Sequence, residues 1–136
     1  MQDDLAQYAI KLGADLFGVA DLTLARDFVL AQGGEHIAAY PRAISFAIRL
    51  VDGIVNELFR HEDPVAIHTY RGLYNTVNRN LDRISLLIAK RIQEAGFRAY
   101  PIFNIVINSR KLMGSISHKL AAHLAGLGWI GKSCLL

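Results

Sequence analysis

Residues 117–136 read SHKLAAHLAGLGWIGKSCLL, and this stretch decides how the chain is folded. Gly126, Gly128 and Gly131 fit the phosphate-binding pattern GxGxxG, and Gly126, Gly131, Lys132 and Ser133 fit GxxxxGK[ST]. Both patterns hold phosphate when a strand enters the glycines and a helix leaves them, with its first N–H groups aimed at the ligand. Here the order is reversed. Ser117 is a natural N-cap, and Leu120, Ala121, Leu124 and Ala125 follow at helical spacing, so a helix runs into the glycines and Gly126 is its expected C′ residue. Only Cys134, Leu135 and Leu136 follow Ser133, too few for the helix that a nucleotide loop needs. The local reading is therefore a glycine-ended helix followed by the start of an apolar strand, and a P-loop-like nucleotide binder is the alternative it displaces.

Working back from that turn, helices and strands alternate. Leu5, Tyr8, Ala9 and Leu12 predict a first helix ending at Gly13, and DLFGVAD (15–21) predicts a short buried strand. Asp21 or Thr23 should cap a second helix through Leu30, ended by Gly33-Gly34. AISFAIRL (43–50) is the strongest strand signal, followed by a short helix over 51–59, and Asp63-Pro64 has the chemistry of another helix start. The clearest element is a long helix over about 73–95. Tyr74, Val77, Leu81, Ile84, Ile88, Ile92 and Ala95 form its apolar stripe, and Gly96 its stop. One or two strands are expected in 98–102 and 105–107. This alternation predicts an α/β sandwich with helices packed on a central β-sheet.

At 136 residues the chain is one domain in size, and 52% hydrophobic content against 20% charge marks it as globular. Two acids stand where a secretory signal would be basic, and Arg49 and Asp52 interrupt the most apolar run, so a cytoplasmic protein that does not cross a membrane is expected. A single cysteine, Cys134, excludes an internal disulfide and any metal or iron–sulfur site built from this chain's cysteines alone. Cys134 itself reads as a buried, inert thiol. The apolar SCLL resembles the first half of a buried strand, and a domain seldom ends on one without a partner. The chain is therefore expected to be the leading part of a longer protein.

Charge is divided along the sequence. Residues 1–70 hold five Lys/Arg against ten Asp/Glu, whereas residues 71–136 hold ten against two. A basic half of this kind attracts phosphate, whether of RNA, of a cofactor tail or of a nucleotide, though no aromatic-interleaved RNA motif accompanies it. Lys132 is the best single phosphate candidate. His118 and His123 are five residues apart, about 140° around a helix, so they make no shared metal pair. His118 is the candidate to touch a ligand, and His123 reads as a capping or surface residue. Trp129 is expected to anchor the glycine turn in the core, and Tyr74 to lie in the core or against a cofactor.

In order, GADLFGVAD, YPRAISFAIRL, HTYRGLYNTVNRNLDRI and above all HKLAAHLAGLGWIGKSCLL resemble the N-terminal domain of the epoxyqueuosine reductase family, over essentially all of residues 1–136. The resemblance implies a cobalamin domain of nitroreductase/reductive-dehalogenase type, cut short at its C-terminus. It also implies a following ferredoxin-like domain with two [4Fe–4S] clusters, and reduction of the epoxyqueuosine epoxide in tRNA. It nominates Tyr74, His118, Gly126, Gly128, Gly131 and Lys132 as cofactor-binding positions, and the basic half as a surface for tRNA or another phosphate-bearing ligand. The isolated chain is then expected to show little or no reductase activity. Where the family carries an aspartate as proton donor this chain reads Arg110 and Lys111, and Tyr74-Asn75 stands where the family has a Tyr-His pair. No carboxylate follows Glu94. These departures keep open a non-catalytic binding or assembly module of a divergent iron–sulfur protein.

Overall fold

A computed structural model describes residues 1–104, 107–108 and 113–132. In chain order the elements are α1 (Gln2–Lys11), β1 (Leu16–Asp21), a 3₁₀ turn (Thr23–Ala25), α2 (Arg26–Gly33), α3 (Glu35–Ala38) and β2 (Arg42–Ala47). There follow α4 (Asp52–Val55), a second 3₁₀ turn (Leu58–Arg60), α5 (Pro64–Glu94), β3 (Ile107–Asn108), β4 (Met113–Gly114) and α6 (His118–Leu124).

β1 and β2 pair antiparallel, Leu16 opposite Ala47 through Asp21 opposite Arg42. β3 and β4 form a separate two-stranded ribbon. Side chains alternate across β1 and β2, so each face of this small sheet meets a different set of helices. On one face Phe17, Ile44 and Phe46 pack with Leu5 and Ala9 of α1 and with Ile84 and Ile88 of α5. On the other, Ala20 and Ala43 join a cluster with Val29 of α2, Ile37 and Ala38 of α3, and Ala125 just beyond α6. Close approach on this second side depends on Gly18. A Cβ there would lie 2.5 Å from the Ala125 carbonyl oxygen, so only glycine lets the end of α6 rest on the strand.

The expected layering of helices on a sheet is thus present in coarse form, as a mixed α/β arrangement on two antiparallel strands. Several details differ. The helix start at Asp63-Pro64 and the long helix are one element of 31 residues, because Asp63 accepts the Val65 N–H, Pro64 occupies the first turn and no breaker intervenes before Gly96. Residues 98–104 form no strand: they run along α5, where the Ile102 carbonyl meets Ser85 and Asn104 bonds Asp82, and Pro101 lacks a ladder donor. Asp21 accepts from both the backbone N–H and the hydroxyl of Thr23 at the start of the 3₁₀ turn, but neither residue caps the second helix as expected: α2 begins at Arg26, with Ala25 as N-cap and no side-chain cap bond. β2 stops at Ala47, after which Asp15 holds the Arg49 N–H, and α3 is a turn of helix the pattern did not announce. Ile105, Val106, Arg110, Lys111, Cys134 and the expected C-terminal strand lie outside the described residues. No helix among the described residues is long and apolar enough to cross a membrane.

Candidate functional site

The end of α6 has the chemistry its sequence promised. Ser117 Oγ accepts the Leu120 N–H at 3.2 Å, and Gly126 terminates the helix at φ 78°, a left-handed conformation that a Cβ would strain. A helix therefore enters the glycines, as read from the sequence. The His123 Nδ1 lies 3.1 Å from the Gly128 carbonyl oxygen, a hydrogen bond in the Nδ1–H tautomer, and it pins the turn from the last part of the helix. Gly126, Gly131 and Lys132 are exposed. Trp129 is 78% exposed, so it does not anchor the turn in the core; Leu127, packed near Gly18, does that instead.

A cavity of about 230 Å³ lies elsewhere. Its walls are β2, the stripe of α5 over 81–92 and the run 98–104, and α6 contributes His118 and Ala121. Apolar side chains dominate, among them Ile44, Phe46, Ile88 and Ile92. Asp82 lines it with Oδ1 accepting both the backbone N–H and the side-chain amide of Asn104, each at 3.0 Å, while Oδ2 takes no hydrogen bond among the described residues. The His118 ring lines the same space while keeping contact with solvent, and its pKa is lowered by desolvation, with the negative charge of Asp82 opposing the shift. At physiological pH the ring is thus neutral, able to accept a hydrogen bond or a proton. Tyr40 and Tyr100 stand with ring centroids 6.1 Å apart, and the Arg98 guanidinium lies 5.4 Å above the Tyr40 ring.

The six nominated cofactor positions are not brought to one place. His118 faces the cavity, and the glycine turn begins past the other end of α6, about 12 Å away along the helix. Tyr74 is 54% exposed on α5, beside Tyr70 at 6.4 Å, and is not among the residues lining the 230 Å³ cavity; the core position expected for it is not where it sits. The cavity falls below the ~300–1,000 Å³ usual for drug-sized ligands, and a Cβ at Gly126 would meet nothing within 4 Å, so the space beside that turn is open. No cluster of His, Cys, Asp or Glu suited to a metal occurs among the described residues.

The basic half also resolves into distinct groups. Arg91 is held by Asp4 at 2.8 Å and lies over the Tyr8 ring, and Arg98 stacks on Tyr40. Arg110 and Lys111 lie outside the described residues. Arg79, Arg83 and Lys90 are exposed on α5, form no ion pair among the described residues, and at 100° per residue fall within about 40° of one another on the face opposite Ile84 and Ile88. They span about 17 Å of helix. Sequence reasoning missed Asp82, Tyr40, Tyr100 and Arg42 as cavity residues. Asp82 carried the one usable signal, being one of two acids after residue 70 and the only one inside the apolar stretch of α5. Comparison with protein-family models, with curated proteins and with solved structures finds no match.

Proposed function

We propose that this chain is the N-terminal module of a cytoplasmic, epoxyqueuosine reductase-like iron–sulfur oxidoreductase, and that its own part is to dock the phosphate backbone of the tRNA substrate. The observation that supports this part is the row of Arg79, Arg83 and Lys90 on the open face of α5, which form no ion pair among the described residues. Cations spaced along a rigid helix meet successive phosphates without prior rearrangement, and their affinity is electrostatic and independent of base sequence. Cobalamin, where the complete enzyme employs it, supplies a strongly reducing centre. No step of the reaction is assigned to this chain's described residues.

The test is tRNA binding by the chain at low salt, compared with an Arg79→Ala/Arg83→Ala/Lys90→Ala variant. The wild type should retard tRNA and the variant should lose at least tenfold in affinity, on the order expected for three phosphate contacts. Equal binding by the two proteins would remove the proposal. Hydroxocobalamin added to the chain alone should leave the corrin spectrum unchanged.

One observation favours a second reading, a non-catalytic binding module of a divergent iron–sulfur protein. The cavity is too small for a corrin yet has polar groups at a defined end. A small ligand would suit it.

A further inference from the structure

The 230 Å³ cavity is sorted by chemistry along its length. Asp82 and Asn104 are bonded to each other at one end, with His118 in the same wall. Residues 98–104 run back along α5, bringing Tyr100, Arg98 and, through its stack on Arg98, Tyr40 to the other end, where β2 begins at Arg42. The stripe of α5 that separates these ends, residues 82–92, is about 15 Å long. Between them the wall is Ile44, Phe46, Ile88 and Ile92.

We propose that this cavity binds a small aromatic acid, whose ring carries an N–H donor received by Asp82 and whose anionic group turns toward Arg98. The inference stands on the cavity and is independent of the tRNA and corrin readings. Asp82 has an oxygen left over after Asn104 is satisfied, and a neutral His118 adds a second acceptor, so that end demands a donor. Arg42 stands opposite Asp21 in the β1–β2 pair, whereas Arg98 forms no ion pair among the described residues, so the guanidinium open to an anion at the other end is that of Arg98. A plain anion lacking the donor would leave Asp82 Oδ2 without a partner in the cavity, and a plain amine would meet the Arg98 guanidinium, so the walls disfavour both. Size limits the class further: the space suits a bicyclic ring with one short acid arm and is too small for a nucleoside triphosphate.

Calorimetric titration with indole-3-acetate, 1-naphthaleneacetate and indole tests each element separately. Indole-3-acetate should bind. Naphthaleneacetate, which lacks the N–H, and indole, which lacks the anion, should each bind at least about tenfold more weakly, the loss of one charge-assisted hydrogen bond. Asp82→Asn should erase the preference for indole-3-acetate over naphthaleneacetate, and Arg98→Ala, at the exposed rim, should erase the preference over indole. Amide shifts in ¹H–¹⁵N spectra should map to residues 42–46, 81–92 and 98–104. Absence of heat with all three compounds, equal affinities on the wild type, or shifts confined to other residues would each overturn the assignment. Arg98→Ala keeps the test open where Asp82→Asn fails to fold.

Discussion

At the scale of single residues, His118 and Gly18 show how position gives a side chain its chemistry. Desolvation at the cavity wall disfavours the His118 imidazolium, so the folded chain holds this proton less readily than the unfolded chain. Stability linked to His118 is therefore complete above the unfolded value of 6.5 and is lost as pH falls through the lower folded value. The melting temperature should decline over that window in the wild type and more shallowly in His118→Gln. Asp82→Asn, by removing the charge that opposes the shift, should move the His118 imidazole titration, followed by NMR, to still lower pH. A pair of glycines gives a contrast in sign. Gly18→Ala drives a methyl against the Ala125 carbonyl and should cost about 1–3 kcal/mol in urea unfolding, the usual penalty of overpacking. Gly72→Ala, in the interior of α5 with open space around its Cβ, should stabilise by about 0.5–1 kcal/mol.

At the scale of elements, α6 and α5 were legible in different degrees. The limits of α6 were written in short-range chemistry: Ser117 supplies a side-chain oxygen to the first turn, and Gly126 accepts the left-handed conformation that ends it. Ser117→Ala should accordingly destabilise the chain by about 1 kcal/mol, with faster amide exchange confined to residues 118–125 and the strand residues they cover. For α5 the apolar stripe was correct at Ile84 and Ile88 but failed at Tyr74, because periodicity states which side chains share a face and not how far the neighbouring layer extends. Its two expected starts became one helix for the same reason that neither could be discarded from sequence: nothing between Asp63 and Gly96 breaks a helix. The run 98–104 misled because alternating apolar residues describe a strand and an extended segment laid on a helix equally well. Of the cavity only His118 and the lone acid Asp82 left a mark in the sequence, since Asp82, Asn104 and His118 are made neighbours by packing.

At the scale of the molecule, the division of charge along the sequence becomes a division between elements. The acidic first half is partly consumed internally, by Asp4 with Arg91, by Asp15 with the Arg49 N–H, by Asp52 with Arg49 and by Glu57 and Asp63 with Arg60. Such exposed pairs contribute little to stability, but they remove cations from the surface available to a polyanion. What remains is selective: Arg79, Arg83 and Lys90 face outward from the helix whose opposite stripe is the core, so the same amphipathic pattern that buries Ile84 and Ile88 aligns the charges. Because each phosphate neutralised releases counterions, the logarithm of the binding constant for tRNA should fall linearly with the logarithm of salt concentration, by about 0.7–0.9 per contact. Replacing all three cations by alanine should flatten that slope by about 2–3. Replacing Arg91, already committed to Asp4, should change the slope little while costing some folding stability. Filter-binding titrations across a salt series read both quantities, and a triple variant with the wild-type slope would move the contact surface off α5.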